Sequence, residues 1–226
     1  MQEQGSLLSA SIGRVFAILV AVETVVFGLS LILGLVVRST LGPMIGYGVC
    51  ILLAASIVAM VAALHAGTHG ERRVLSLLAL AAAIVYAPFC MGNYFVQLAV
   101  VATNPLSHPP DVLKLIAFVP GSLTFALDML GYTFLCLSTL AAAFVLTDPR
   151  DRVLRILCLI HGAIAVPTVA APIVSGLFRS TGSQANDIGS WILLIWCALF
   201  TPIALLFARH FRTAGTPGIP AEMSSR

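Results

Sequence analysis

Charge is what this chain has least of. Only 9% of its 226 residues are Asp, Glu, Lys or Arg, where a soluble domain carries about 25%. Mean hydropathy is +1.04. So little charge cannot keep a globular surface in water, which excludes an ordinary soluble fold. Cysteine is scarce as well. The five present, Cys50, Cys90, Cys136, Cys158 and Cys197, form no C-x-x-C pair, and all fall inside apolar stretches. An odd number of thiols in such stretches argues against a disulfide framework and against a zinc site, and reads instead as small apolar filler.

Sites for common chemistry are missing too. There is no Gly-rich phosphate loop, no Ser/His/Asp order, no H-E-x-x-H and no acid-rich divalent-metal motif. His65 and His69 have helical i, i+4 spacing, but Gly67 and Gly70 work against the helix a metal pair would need. No metal and no cofactor is therefore expected, and no catalytic residue can be named. The absence of a basic patch with interleaved aromatics excludes nucleic acid as a partner.

What the sequence does have is six long apolar stretches: Ile12–Val37, Met44–Leu64, Val74–Val101, Gly121–Leu146, Val153–Leu177 and Ile188–Phe211. A bilayer crossing needs roughly 20 such residues. The expected fold is all-α, a polytopic six-helix transmembrane bundle occupying residues 1–212 as one domain, with membrane lipids as its surroundings. The first stretch reads as a retained span and not as a cleaved leader, because Glu23 interrupts a run too long for a signal core. The segment 213–226 is rich in Gly, Pro and Ser and is expected to be a disordered cytoplasmic tail.

The basic residues are unevenly placed. With six spans, Arg14, Arg72, Arg73, Arg150, Arg152, Arg155, Arg209, Arg212 and Arg226 fall on one side, and only Arg38, Lys114 and Arg179 on the other. This bias predicts a cell-membrane protein with both termini cytoplasmic. The longest connector, Ala102–Pro120, is bounded by prolines. Its middle, Asp111–Phe118, reads either as a stiff linker or as a short amphipathic helix at the outer interface. The first, third and fifth spans begin alike, at Arg14-Val15, Arg73-Val74 and Arg152-Val153, and Pro88 aligns with Pro167. This is either a parallel repeat of helical hairpins or the common look of an Arg-anchored span. Gly42/Gly46 and Ala79/Ala83 are candidate helix-packing faces.

A few polar residues sit at lipid depth, where each needs a reason. Tyr86, Cys90, Asn93 and Gln97 recur at i, i+4, i+7 and i+11 and so share one stripe of the third span, with Tyr94 beside it. Asp128 and Tyr132 share a face of the fourth span at matching depth, with Gly131 between them. An Asn93 or Gln97 amide donating to the Asp128 carboxylate is the natural pairing. It would serve either to glue two helices or to build a ligand pocket. Glu23 lies near the middle of the first span, where a bare carboxylate costs on the order of 3 kcal/mol, so it should be protonated, paired or wetted. His161, in the fifth span, could reach Glu23 if those helices touch. Otherwise it is a hydrogen-bonded packing residue. These residues predict a polar pocket between the first, third and fourth spans.

The runs Asn93-Tyr-Phe-Val-Gln-Leu98 and Asp128-Met-Leu-Gly-Tyr132 resemble a group of uncharacterised bacterial multi-span membrane proteins. In that group an Asn-Tyr-Phe-Val-Gln-Leu helix motif is followed by an acid-x-Leu-Gly-Tyr helix motif. The likeness covers the third to fifth spans. It implies a helical membrane bundle of bacterial origin and brings no activity with it.

Three functions are compatible with these residues. The first is binding or transport of a small or lipid-like molecule, its polar end held by Asn93, Gln97, Asp128 and Tyr132, with Tyr86, Glu23 and His161 contributing. The second is an intramembrane enzyme acting on a lipid or isoprenoid through a buried carboxylic acid. The third is a structural or accessory subunit whose polar set fixes helix register. A chain this small would be expected to form a homo-oligomer if it transports.

Overall fold

A computed structural model of the chain describes residues 2–103, 110–178 and 183–214. Eight α-helices follow in order: α1 (Gln2–Leu35), α2 (Leu41–Gly67), α3 (Arg73–Val96), α4 (Pro110–Ile116), α5 (Leu123–Val145), α6 (Arg152–Ala163), α7 (Ala165–Phe178) and α8 (Ser183–Ala214). No strand occurs among the described residues. Six helical segments are long and apolar enough to cross a membrane: Leu7–Leu35, Leu41–Gly67, Gly70–Val101, Leu123–Val145, Pro149–Val174 and Gly189–Thr213. The protein is a multi-pass, all-α membrane bundle of six spans.

The helices overrun several apolar stretches, because an α-helix satisfies its own backbone and continues into the interface past the last apolar residue. Thr213 and Ala214 accordingly belong to α8 and not to the expected tail. Residues 215–226, with Arg226, and also Arg179 and Pro105–Pro109, lie outside the described residues. The middle of the long connector is the short helix α4, not merely a stiff linker.

Two spans are irregular. The third ends in a π-helical turn, Gln97–Val101, closed by Ala102 N–H donating to the Gln97 carbonyl at 2.9 Å. The fifth, expected as one helix over Val153–Leu177, is broken at Ile164. Pro167 lies just beyond the break, lacks an N–H, and crowds the carbonyl four residues before it, that of Ala163. Pro88, its partner in the repeat reading, stays inside an unbroken α3. The two aligned prolines therefore do different structural work.

The spans pack in sequence order: α1 on α2, α2 on α3, α3 on α5, α5 on α6 and α7, and α6 on α8. α8 then packs along α1, so the six spans close a ring. Its centre is filled by Cys50, Leu53, Tyr86, Cys90, Tyr132, Trp196 and Phe200, all buried. The outer face carries exposed apolar side chains such as Val15, Val22, Leu52, Leu78, Val166 and Ile195, as a bundle dissolved in lipid requires. Two seams depend on small residues. A Cβ on Gly42 would sit 2.6 Å from the Gly34 nitrogen, so α1 and α2 touch backbone to backbone there. Gly46 is nearly as tight against the Ser30 hydroxyl, at 2.8 Å. Between α3 and α5, Ser138 Oγ donates to the Ala79 carbonyl at 2.8 Å, beside fully buried Ala79 and Ala83.

Candidate functional site

α5 starts at a defined point. Gly121 turns the chain with φ of +88°, and Ser122 caps the helix by accepting from Phe125 N–H at 3.1 Å. That start fixes Asp128 and Tyr132 one turn apart on the inward face. Gly131, on the same stretch, would bring a Cβ within 3.0 Å of Phe89 Cβ and 3.1 Å of Cys90 Sγ, so its hydrogen lets α3 close against α5.

Asp128 is only 1% exposed. Tyr94 Oη donates to its Oδ2 at 3.2 Å and lies 3.3 Å from Tyr132 Oη. Both separations exceed the usual hydroxyl range of about 2.5–3.0 Å. Asp128 Oδ1 is buried and has no hydrogen-bond partner among the described residues. Tyr47, from α2, stacks on Tyr94 with ring centroids 5.7 Å apart, and Tyr86 lies 6.1 Å from Tyr132. All four tyrosines of the chain thus converge around one carboxyl group.

The expected amide–carboxylate pairing is at most a weak one: Asn93 lies beside the Asp128 carboxyl, as Cys90 does, but both amides spend their well-formed bonds elsewhere. Asn93 Nδ2 donates to the Thr124 carbonyl at 2.9 Å, and Gln97 Nε2 donates to the Ile116 carbonyl at 2.7 Å. For Gln97 the physical reason is the end of α4, whose last carbonyls lack intrahelical donors, whereas Asn93 reaches a carbonyl in the first turn of α5. Gln97 and Thr124 satisfy them: Thr124 Oγ1 donates to the Ile116 and Ala117 carbonyls, and Gln97 Oε1 accepts from Phe118 N–H at 3.1 Å. Gln97 therefore clamps the Ile116–Phe118 segment from both sides. Phe118 in turn covers the tyrosines, with centroids 6.5 Å from Tyr47 and 6.1 Å from Tyr94. Phe118 and Tyr47 are only partly buried and form the rim of the cluster.

Glu23 and His161 do not meet, because α1 packs on α2 and α8 and not on α6. Nor does α1 line a shared pocket with α3 and α5, so the cluster lies between α2, α3 and α5. Glu23 Oε1 accepts from Ser56 Oγ of α2 at 3.1 Å, and its buried Oε2 has no partner among the described residues. His161 is fully buried and satisfied at both nitrogens: Nδ1 lies 2.7 Å from Thr139 Oγ1, and Nε2 accepts from Trp196 Nε1 at 2.9 Å. Such a site can hold helices together and has no valence left for a ligand.

Reasoning from the sequence missed Tyr47, Ser56, Thr139 and the inward role of Trp196. Tyr47 left one signal: it lies early in the second span, and that span starts at the end of the bundle where the third finishes, at the depth of Tyr94. Two clefts, of about 210 Å³ beside Arg14, Arg209 and Arg212 and about 290 Å³ beside His69, Arg72 and His210, lie at the Arg-rich end, away from Asp128. Among the described residues, no group of three or more His, Cys, Asp or Glu is placed to hold a metal ion. Comparison with known protein families, curated proteins and solved structures finds no match to the chain.

Proposed function

We propose that this protein binds or carries a small or lipid-like molecule whose polar end is held at Asp128, between α2, α3 and α5. The supporting observation is a contrast within the bundle. His161, equally buried, has every polar atom paired, as a residue that only joins helices should. Asp128 has one oxygen unpaired and the other on a long bond, as Glu23 does, but of the two only Asp128 is fully buried and ringed by tyrosines. An unsatisfied buried carboxyl costs far more than a satisfied one, so a group that merely fixed register would be replaced at no loss by a neutral one. Tyr94, Tyr132 and Tyr86 line the site in this reading, and Tyr47 and Phe118 cover it. Asn93 and Gln97 act indirectly, by holding the cover in place.

The orientation follows from the arginine bias: both termini cytoplasmic, with the Asp128 cluster nearer the outer leaflet. The motif likeness to bacterial multi-span proteins supports the bacterial cytoplasmic membrane as the location.

The test is mass spectrometry of whatever copurifies with the wild-type protein and with Asp128→Asn, both extracted mildly. The wild type should retain a molecule that the folded variant has lost. Equal content in both, or no retained molecule in the wild type, overturns the proposal.

A further inference from the structure

We propose that the molecule held at Asp128 is an organic cation, an ammonium-bearing compound, and that it binds in exchange for one proton. This rests on the reading of Asp128 as a ligand site and names the ligand's chemistry.

The first argument is charge. The groups facing Asp128 are Tyr86, Cys90, Asn93 and Tyr94 from α3, Tyr132 from α5, and Tyr47 and Cys50 from α2. Beyond Cys50 come Glu23 of α1 and Cys197 of α8. None of these carries a positive charge. A carboxylate sealed among them has no internal counter-ion, and burying a bare charge is prohibitive. The carboxyl must be neutralised by a proton or by a cation brought from outside. An anionic ligand would bring a second charge with no counter-ion into the same site. A neutral ligand could only hydrogen-bond to the protonated acid, a role that a neutral amide or hydroxyl would fill without the burden of a carboxyl.

The second argument is the ring arrangement. Tyrosine faces carry the negative part of the ring quadrupole and attract cations, quaternary ammonium groups above all. Tyr47 and Tyr94 stack, Tyr86 and Tyr132 tilt together, and the Asp128 carboxyl lies among them. Its unpaired Oδ1 supplies the one contact that four aromatic rings cannot. Phe118 completes the cover.

The exchange balances. The protonated carboxyl gives up H⁺ to water, the carboxylate pairs with the incoming ammonium, and the site keeps the same net charge before and after. No covalent bond forms or breaks other than the O–H bond of Asp128.

The experiment is calorimetry on the full-length protein in lipid nanodiscs, using benzyltrimethylammonium and its uncharged isostere neopentylbenzene, which differ only in carbon for nitrogen. Two buffers of different ionisation enthalpy count the protons. The cation should bind with release of one proton, its affinity rising about tenfold per pH unit over the range in which Asp128 is protonated. Tyr47→Leu should weaken it up to about tenfold, Tyr94→Phe much less because the ring remains, and Asp128→Asn should abolish binding. Equal binding of the isostere, or cation binding without proton release, overturns the inference and leaves the small-molecule reading standing. Failure of both probes also overturns it. Whether the small-molecule reading falls too is then read separately from the copurified molecule.

Discussion

Trp196 Nε1 donates to His161 Nε2 across 2.9 Å, and this bond settles where the imidazole proton sits. Indole nitrogen is a donor only, so Nε2 must be the acceptor and Nδ1 carries the hydrogen toward Thr139 Oγ1, 2.7 Å away. Thr139 passes the chain on to the Cys136 carbonyl at 2.9 Å. α5, α6 and α8 are joined by this relay.

Trp196→Phe keeps an aromatic ring against Phe200, now 4.8 Å away by centroid, but leaves His161 Nε2 without a donor. The loss should be about 1–3 kcal/mol, read as a lower midpoint in denaturing-detergent titration. The Trp196→Phe, His161→Phe double variant should recover part of it, because the unpaired imidazole nitrogen is then gone as well. An unchanged midpoint in the single variant would show the bond carries no stability.

Glu23 makes the opposite case. Its Oε2 is buried without a partner and its Oε1 has only Ser56. Glu23→Leu should raise stability by on the order of 1–3 kcal/mol, since an apolar side chain replaces an acid in hydrocarbon. The same unfolding titration measures it. A lower midpoint would mean that the Ser56 bond stabilises the α1–α2 seam more than the acid burdens it.

That seam offers a test of close packing. Gly42→Ala places a methyl 2.6 Å from the Gly34 nitrogen and 2.7 Å from the Ser30 carbonyl oxygen, both backbone atoms that cannot swing away. Separating the helices should cost about 1–3 kcal/mol. Gly48→Ala, with nothing within 4 Å, is the matched control and should show only the gain in helix propensity, at most about 1 kcal/mol of added stability.

Gln97→Leu removes both bonds to the Ile116–Phe118 segment while leaving the tyrosines intact. Amide hydrogen exchange at Phe118 should accelerate by about tenfold or more, corresponding to loss of roughly 1–2 kcal/mol of local hydrogen bonding. Exchange near Tyr132 should not change. If Phe118 exchanges at the wild-type rate, the cover is held by ring packing and not by the glutamine.

The span count and the inward faces were readable because lipid imposes length and periodicity directly on sequence. The stripe Tyr86, Cys90, Asn93, Gln97 is buried throughout, as its spacing required. Partnerships were less legible. Periodicity says which way a residue points but not how neighbouring helices are rotated. Tyr94, one position off the stripe, is the residue that reaches Asp128, while Asn93 and Gln97 turn to backbone carbonyls. The Gln97 partner, the Ile116 carbonyl, is free only because α4 ends just before α5, a local event with no apolar pattern to announce it, and the Asn93 partner is the Thr124 carbonyl in the first turn of α5. The break at Ile164 was hidden for a related reason: Pro88 and Pro167 look alike in sequence, and only one of them interrupts its helix.

Because α8 returns to lie along α1, the order of the spans has no structurally privileged beginning. A permuted chain that joins the end of α8 to the start of α1 through a linker and opens instead between Thr68 and His69, in the turn before α3, would present the same neighbours to every helix. Stability in such a protein resides in the seams between adjacent spans, which the permutation leaves in place.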